Sequence, residues 1–174
     1  MTQKNLHYEA AFEDYLRSSR IAYIPVDETK KTLFGRMSLK SFDFMVFPDQ
    51  GKSLIIDVKG RKFPELKPGK TTGSGAWENW VTEDDISGLK TWQHIMGSDS
   101  ESIFVFAYWV QGAAHNAPFD NLHMFRGKNY AFSAVKIDDY TKHSRTRSQK
   151  WRTVSVPVAK FIPLVTDLDE LVNK

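Results

Sequence analysis

The sequence contains no cysteine among its 174 residues. Disulfides, thiolate zinc centres and cysteine nucleophiles are therefore excluded in one step. It also lacks long apolar runs: none approaches the roughly 20 residues that span a bilayer. The opening MTQKNLHYEAAFEDYL has acidic side chains and no apolar h-region, so no signal peptide is expected. A soluble cytoplasmic protein, without a membrane partner, is the expectation. Repeats, low-complexity tracts and linker-like stretches are missing too, and the length suits one domain over 1–174. A large charge excess is also absent. The net charge of +3 points only weakly to an anionic partner.

What the chain has in quantity is aromatic and β-branched residues. Aromatics make up 13% and include five Trp, within a hydrophobic content of 41%. They can fill a sizeable core, and any left exposed can stack on bases. Basic residues gather twice. Lys142, Arg145, Arg147, Lys150 and Arg152 surround Trp151, and Lys59, Arg61, Lys62, Lys67 and Lys70 form a second group. Solvated loops and phosphate-binding surfaces fit both groups equally.

Residues 5–19 read as a helix, because Tyr8, Ala11, Phe12, Tyr15 and Leu16 form an apolar stripe behind Asn5 as N-cap. Residues 21–26 read as a strand, and 27–40 as a loop or hairpin end. Residues 42–47 and 53–59 are short apolar runs around the turn Pro48-Asp49-Gln50-Gly51, which suggests a central hairpin. Residues 60–81 read as a long loop. Thr82 starts a second helix with Asp85 in capping-box spacing, Ile86, Leu89, Gln93 and Met96 on one face, and Gly97 at its end. Strands are expected over 102–110, 122–125, 130–137 and 154–158, and a closing helix over 163–171. The order α, β, β, β, α, β, then more β predicts an α/β (α+β) fold with a central mixed sheet flanked by helices.

The informative feature is charge inside apolar strands. Asp43 interrupts Phe42-Asp43-Phe44-Met45-Val46-Phe47, and Asp57 and Lys59 interrupt Ile55-Ile56-Asp57-Val58-Lys59. Such charges are costly unless paired or bound to a metal. Period two puts Asp57 and Lys59 on one face, and hairpin pairing can bring Asp43 beside them. Two carboxylates and an ammonium group at one point suit metal-assisted phosphodiester hydrolysis. The carbonyl of Val58 is a further candidate ligand. Glu9 lies on the shoulder of the first helix's stripe, beside Phe12 and Leu16, and can lean toward the sheet. Gln93 falls on the apolar face of the second helix, where an unpaired amide would be costly. Lys90, one turn earlier, can reach phosphate.

Asp43, thirteen intervening residues and Asp57-Val58-Lys59 resemble the motif of the PD-(D/E)XK nuclease superfamily, which includes restriction enzymes and Holliday junction resolvases. The resemblance covers roughly residues 7–110, with Phe42 where the family often has Pro. It implies a restriction endonuclease-like core of order αβββαβ and a Mg²⁺- or Mn²⁺-dependent nuclease acting on nucleic acid, most simply DNA. Asp43 and Asp57 would hold the metal, with Glu9 assisting; Lys59 would act on the attacking water and Gln93 would orient a ligand or water. Arg61, Lys62, Lys90, Arg145, Arg147 and Lys150 would contact phosphates, while Trp77, Trp80 or Trp151 would stack on unpaired bases. A homodimer is one option, since two-site cutters often pair.

Other readings stay open at this stage. Asp57 and Lys59 can form a structural salt bridge, Asp43 can face a turn, Glu9 can be solvated, and Gln93 can satisfy a buried backbone group. A non-catalytic nucleic-acid- or protein-binding module on the same fold is the alternative function. Gly69-Lys70-Thr71 is no phosphate loop, because Pro64 occupies the position of that motif's first glycine. His115 and His123 lack zinc-ligand spacing.

Overall fold

The structure, a computed structural model, describes residues 6–26, 33–34, 37–38, 40–66 and 76–172. In chain order the strands are β1 (Ala22–Pro25), β2 (Leu33–Phe34), β3 (Met37–Ser38), β4 (Phe44–Phe47), β5 (Ser53–Phe63), β6 (Val81–Thr82), β7 (Ser100–Val110), β8 (His123–Phe125), β9 (Lys128–Lys136), β10 (Arg145–Ser148), β11 (Thr153–Ser155) and β12 (Thr166–Asp167). The helices are α1 (Leu6–Ser18), α2 (Glu83–Met96), α3 (Ile137–His143), α4 (Val158–Phe161) and α5 (Leu168–Val172). No helix among the described residues is long and apolar enough to cross a membrane.

The main sheet is mixed, in the order β1-β4-β5-β7-β9-β12, with β8 on β9. β5 and β7 run parallel from Ser53 opposite Ser100 to Phe63 opposite Val110. The other pairs in this sheet are antiparallel. Two buried layers explain why β5 and β7 read as near-continuous apolar runs. Leu54, Ile56 and Val58 pack with Ile103, Val105 and Ala107 against the α1 stripe of Tyr8, Ala11, Phe12, Tyr15 and Leu16. On the opposite face Ile55, Phe63, Phe104, Phe106 and Tyr108 pack with Leu89 and Trp92 of α2 and Tyr140 of α3. Phe12 and Ile56 are fully buried, and each such side chain stabilises the fold by about 1.5–3 kcal/mol.

Sequence signals set the α2 boundaries. Thr82 is the N-cap; its hydroxyl accepts the Asp85 N–H at 3.1 Å, and the Asp85 carboxylate accepts the Thr82 N–H at 2.7 Å. Gly97, with φ of +80°, ends the helix in a backbone conformation that suits glycine.

Several elements differ from the sequence expectation, among them the strand expected over 154–158, which ends at Ser155 as β11 while Val158 begins α4. β5 continues through Gly60–Phe63, where a loop was expected, because β7 offers a partner along its whole length and Phe63 packs edge-on against Trp77 and Tyr108. Ile137 begins α3 and does not end a strand. β10 was not anticipated: its sequence RTRS has no apolar alternation, and pairing with β11 and then β6 holds it. The closing helix is shorter than 163–171, since Thr166 and Asp167 instead pair with β9 and α5 starts at Leu168. The expected Asn5 cap, residues 27–32, 35–36 and 39 of the 27–40 loop, and residues 67–75 with Lys67, Lys70 and the Gly69-Lys70-Thr71 stretch lie outside the described residues.

Candidate active site

The site begins where β4 leaves β5. Phe44 is the first β4 residue and stands opposite Ile56. The Asp43 N–H nevertheless also donates to the Ile56 carbonyl at 2.9 Å. Two successive residues thus answer to one partner, the arrangement of a β-bulge, which re-aims a side chain. The Asp43 carboxylate turns to accept the Val58 N–H at 2.6 Å, so Oδ2 fills the ladder position that β4 no longer supplies. In an extended strand the N–H and C=O of one residue face the same edge, so the Val58 carbonyl also faces Asp43.

Asp57 and Lys59 flank Val58 on the strand face that looks toward α2, as their shared period requires. Lys59 Nζ lies 2.8 Å from Asp57 Oδ2 and 3.0 Å from Asp85 Oδ1. Asp85 Oδ1 also meets Lys40 Nζ, while Oδ2 caps α2 and accepts the Thr82 hydroxyl. Asp43, Asp57 and Asp85 are only 6%, 5% and 4% exposed, so each charge depends on these partners. Asp43 contacts the N–H of the residue that lies between Asp57 and Lys59, which pair with each other. Asp85 was legible only as a capping residue. Its second role depends on where packing lays the start of α2, and nothing in local spacing signals that.

Gln93 stands apart from this group. Among the described residues no three acidic or histidine side chains gather as a metal cage. Glu9 is half-buried on α1, whose stripe packs on the other face of the sheet from Asp57 and Lys59. Gln93 Oε1 accepts the Ser102 N–H at 2.7 Å, and its amide reaches Asp138 at 3.5 Å. Ser102 precedes Phe104 and Phe106, the residues opposite Asp57 and Lys59, by two and four positions, or about 7 and 13 Å of strand. The amide satisfies a backbone group at the far end of α2.

The basic and aromatic candidates divide by exposure. Arg61 is mostly buried: its guanidinium donates to the Gly60 carbonyl at 2.7 Å and to the Trp80 carbonyl, and lies 4.2 Å from the Trp80 ring centre. Burial pulls its pKa below the ordinary value. Arg61 therefore positions Trp80 and does not reach phosphate. Trp77 is a core residue against Phe63, Tyr108 and Phe119. Lys90 faces Asp138 at 3.9 Å on the outer side of α2. Arg152 pairs with Glu83 at 3.0 Å and Asp84 at 3.4 Å, which ties the β10–β11 hairpin to the first turn of α2. Arg145, Arg147 and Lys150 remain exposed on that hairpin, and Trp151 near its tip is 70% exposed. Arg147 reaches back to the Trp80 ring at 5.3 Å. Lys62 is exposed on the α1 face.

Among the described residues, the oxygen donors beside the Val58 peptide are the carboxylates of Asp43 and Asp57 and the Val58 carbonyl, with the Asp85 carboxylate beyond Lys59. They do not make an all-protein cage. They do fit an ion such as Mg²⁺, which is commonly held by one or two carboxylates and keeps several waters for exchange with substrate phosphates.

No family model and no curated protein matches the chain. Among solved structures, it is similar to the Holliday junction resolvase Hjc of the archaeal hyperthermophile Archaeoglobus fulgidus, with a TM-score of 0.55 at 17% identity. The match covers 96% of this chain and 98% of the resolvase. The two share a fold: a mixed central sheet flanked by helices, as the element order suggested, of the restriction endonuclease-like class that the motif resemblance implied.

Proposed function

We propose that this protein is a Mg²⁺- or Mn²⁺-dependent nuclease of the PD-(D/E)XK type that hydrolyses phosphodiester bonds in DNA. The observation that carries this reading is the Asp43 carboxylate on the N–H of Val58, whose chain neighbours Asp57 and Lys59 pair with each other, where β4 and β5 part. Likeness to the fold of a resolvase supports it. Asp43 and Asp57 would hold the ion, with the Val58 carbonyl as a third oxygen. A bound divalent ion supplies a water of lowered pKa and neutralises charge on the phosphate oxygens.

The chain's own residues do the rest. An ammonium has three donors, and two of those on Lys59 face Asp57 and Asp85. The third is left to orient the attacking water or to stabilise the charge that grows on phosphorus oxygens. Asp85 acts as a positioning residue, because one carboxylate fixes both the start of α2 and the Lys59 ammonium. The β10–β11 hairpin, rooted beside that helix start, offers Arg145, Arg147 and Lys150 to phosphates and Trp151 to an unstacked base.

The test is a cleavage panel of linear, branched and single-stranded DNA and RNA with Mn²⁺ or Mg²⁺. Metal-dependent cutting by wild type, lost in Asp57→Ala with DNA binding kept, is the expected result. Nucleic-acid binding without turnover in either metal would assign the fold to a binding module.

A further inference from the structure

We infer that the α1 face of the same sheet end carries a second nucleic-acid contact, in which Lys62 and Lys128 hold backbone phosphates on either side of Trp109. Lys62 and Trp109 are register partners at the end of the parallel β5–β7 ladder. Lys62 Nζ lies 5.4 Å from the Trp109 ring centre, and Lys128 Nζ lies 4.0 Å from it. His7 closes the ring's edge in a T-shaped contact at 5.6 Å. Trp109 is half-buried beside α1, so the ring is a fixed platform.

The electrostatics are unfinished without an anion. Among the described residues neither lysine has a carboxylate partner. Two like charges share one ring, and an exposed cation–π contact contributes only about 0.5–1 kcal/mol. The ring alone does not explain why two ammonium groups are gathered there. A polyanion crossing the platform does.

Position selects nucleic acid among polyanions. Lys62 follows Lys59 by three residues on β5, about 10 Å along the strand. The strand end thus presents Lys59 and Trp80 on one face and Lys62 and Trp109 on the other, so the substrate would be held on both sides of the cut. This inference rests on the nuclease reading of Asp43, Asp57 and Lys59.

The experiment measures duplex DNA affinity against salt concentration, without divalent metal, for wild type, Lys62→Ala/Lys128→Ala and Lys62→Arg/Lys128→Arg. Thermal unfolding checks that all three are folded. The alanine pair should flatten the plot of log affinity against log salt by about 2, near 0.9 for each phosphate that is no longer neutralised. The arginine pair should keep the wild-type slope. A wild-type slope in the alanine pair overturns the inference and leaves the nuclease reading standing, with the patch assigned to another partner. A wild type that shows no salt-dependent DNA binding sinks both.

Discussion

The two faces of β5 belong to one strand and follow opposite rules. Leu54, Ile56 and Val58 look toward α1 into a layer of aliphatic and aromatic side chains. Asp57, Lys59 and Arg61 look the other way, and each is held by a named polar or aromatic partner. The first face gains stability by burying apolar area. The second gives some of it up to keep charges in low dielectric, where they act strongly on a substrate. Period two keeps the tasks apart, so a substitution on one face should leave the other's task intact.

That separation can be broken most sharply at Asp57. Asp57→Ala should abolish cleavage in Mg²⁺ and Mn²⁺ while DNA affinity stays near wild type and the protein still unfolds cooperatively, at a lowered midpoint. Full activity in this variant, measured on the same substrates, would break the assignment of this face to chemistry. Phe12→Ala addresses the other face. It should cost about 3–5 kcal/mol in chemical denaturation and leave cleavage per folded molecule unchanged. A large drop in that specific activity would mean that the faces are coupled.

Gly60 marks the limit of the separation. A Cβ built there would lie 2.1 Å from the buried Tyr8 ring, so α1 sits directly on the strand between Lys59 and Arg61. Gly60→Ala should destabilise by about 1–3 kcal/mol through overpacking, read as a lower denaturation midpoint. Unlike Phe12→Ala, it should also reduce cleavage, because β5 must shift beside Lys59.

Two substitutions sharpen the division of labour within the polar face. Lys59→Ala should lower the cleavage rate by about 10²–10³, with Mn²⁺ affinity little changed. Asp85→Asn keeps one acceptor oxygen for the α2 cap and removes the charge that faces Lys59. It should lower the rate by roughly 10–100-fold, as loss of a supporting partner does, and destabilise by about 1–3 kcal/mol, because the new amide donor faces donors. Wild-type activity in Asp85→Asn would reduce Asp85 to a capping residue.

These residues also show what a single sequence makes legible. Asp57 and Lys59 stand out because a charge among isoleucines and valines has few explanations. The capping box of Thr82 and Asp85 was readable because it is local. What lay hidden was tertiary. Asp85's second partner, and Gln93's bond to Ser102 at the far end of α2, depend on how the helix lies over the sheet. The buried face of α2 is Asp85, Gly88, Leu89 and Trp92, so the expected face of Ile86, Leu89, Gln93 and Met96 was turned: Met96 is exposed, and Gln93 is half-buried on a strand N–H. β10 was hidden for a different reason: its pairing supplies an order that its polar sequence does not encode.

The most direct measurement is titration of Mn²⁺ into wild type and Asp43→Asn, read by calorimetry. One ion should bind per wild-type chain, and binding should be lost or much weakened in Asp43→Asn, whose position beside Val58 is otherwise preserved. Equal binding by the two proteins, or none by wild type, would contradict a shared ion at this bend of the sheet.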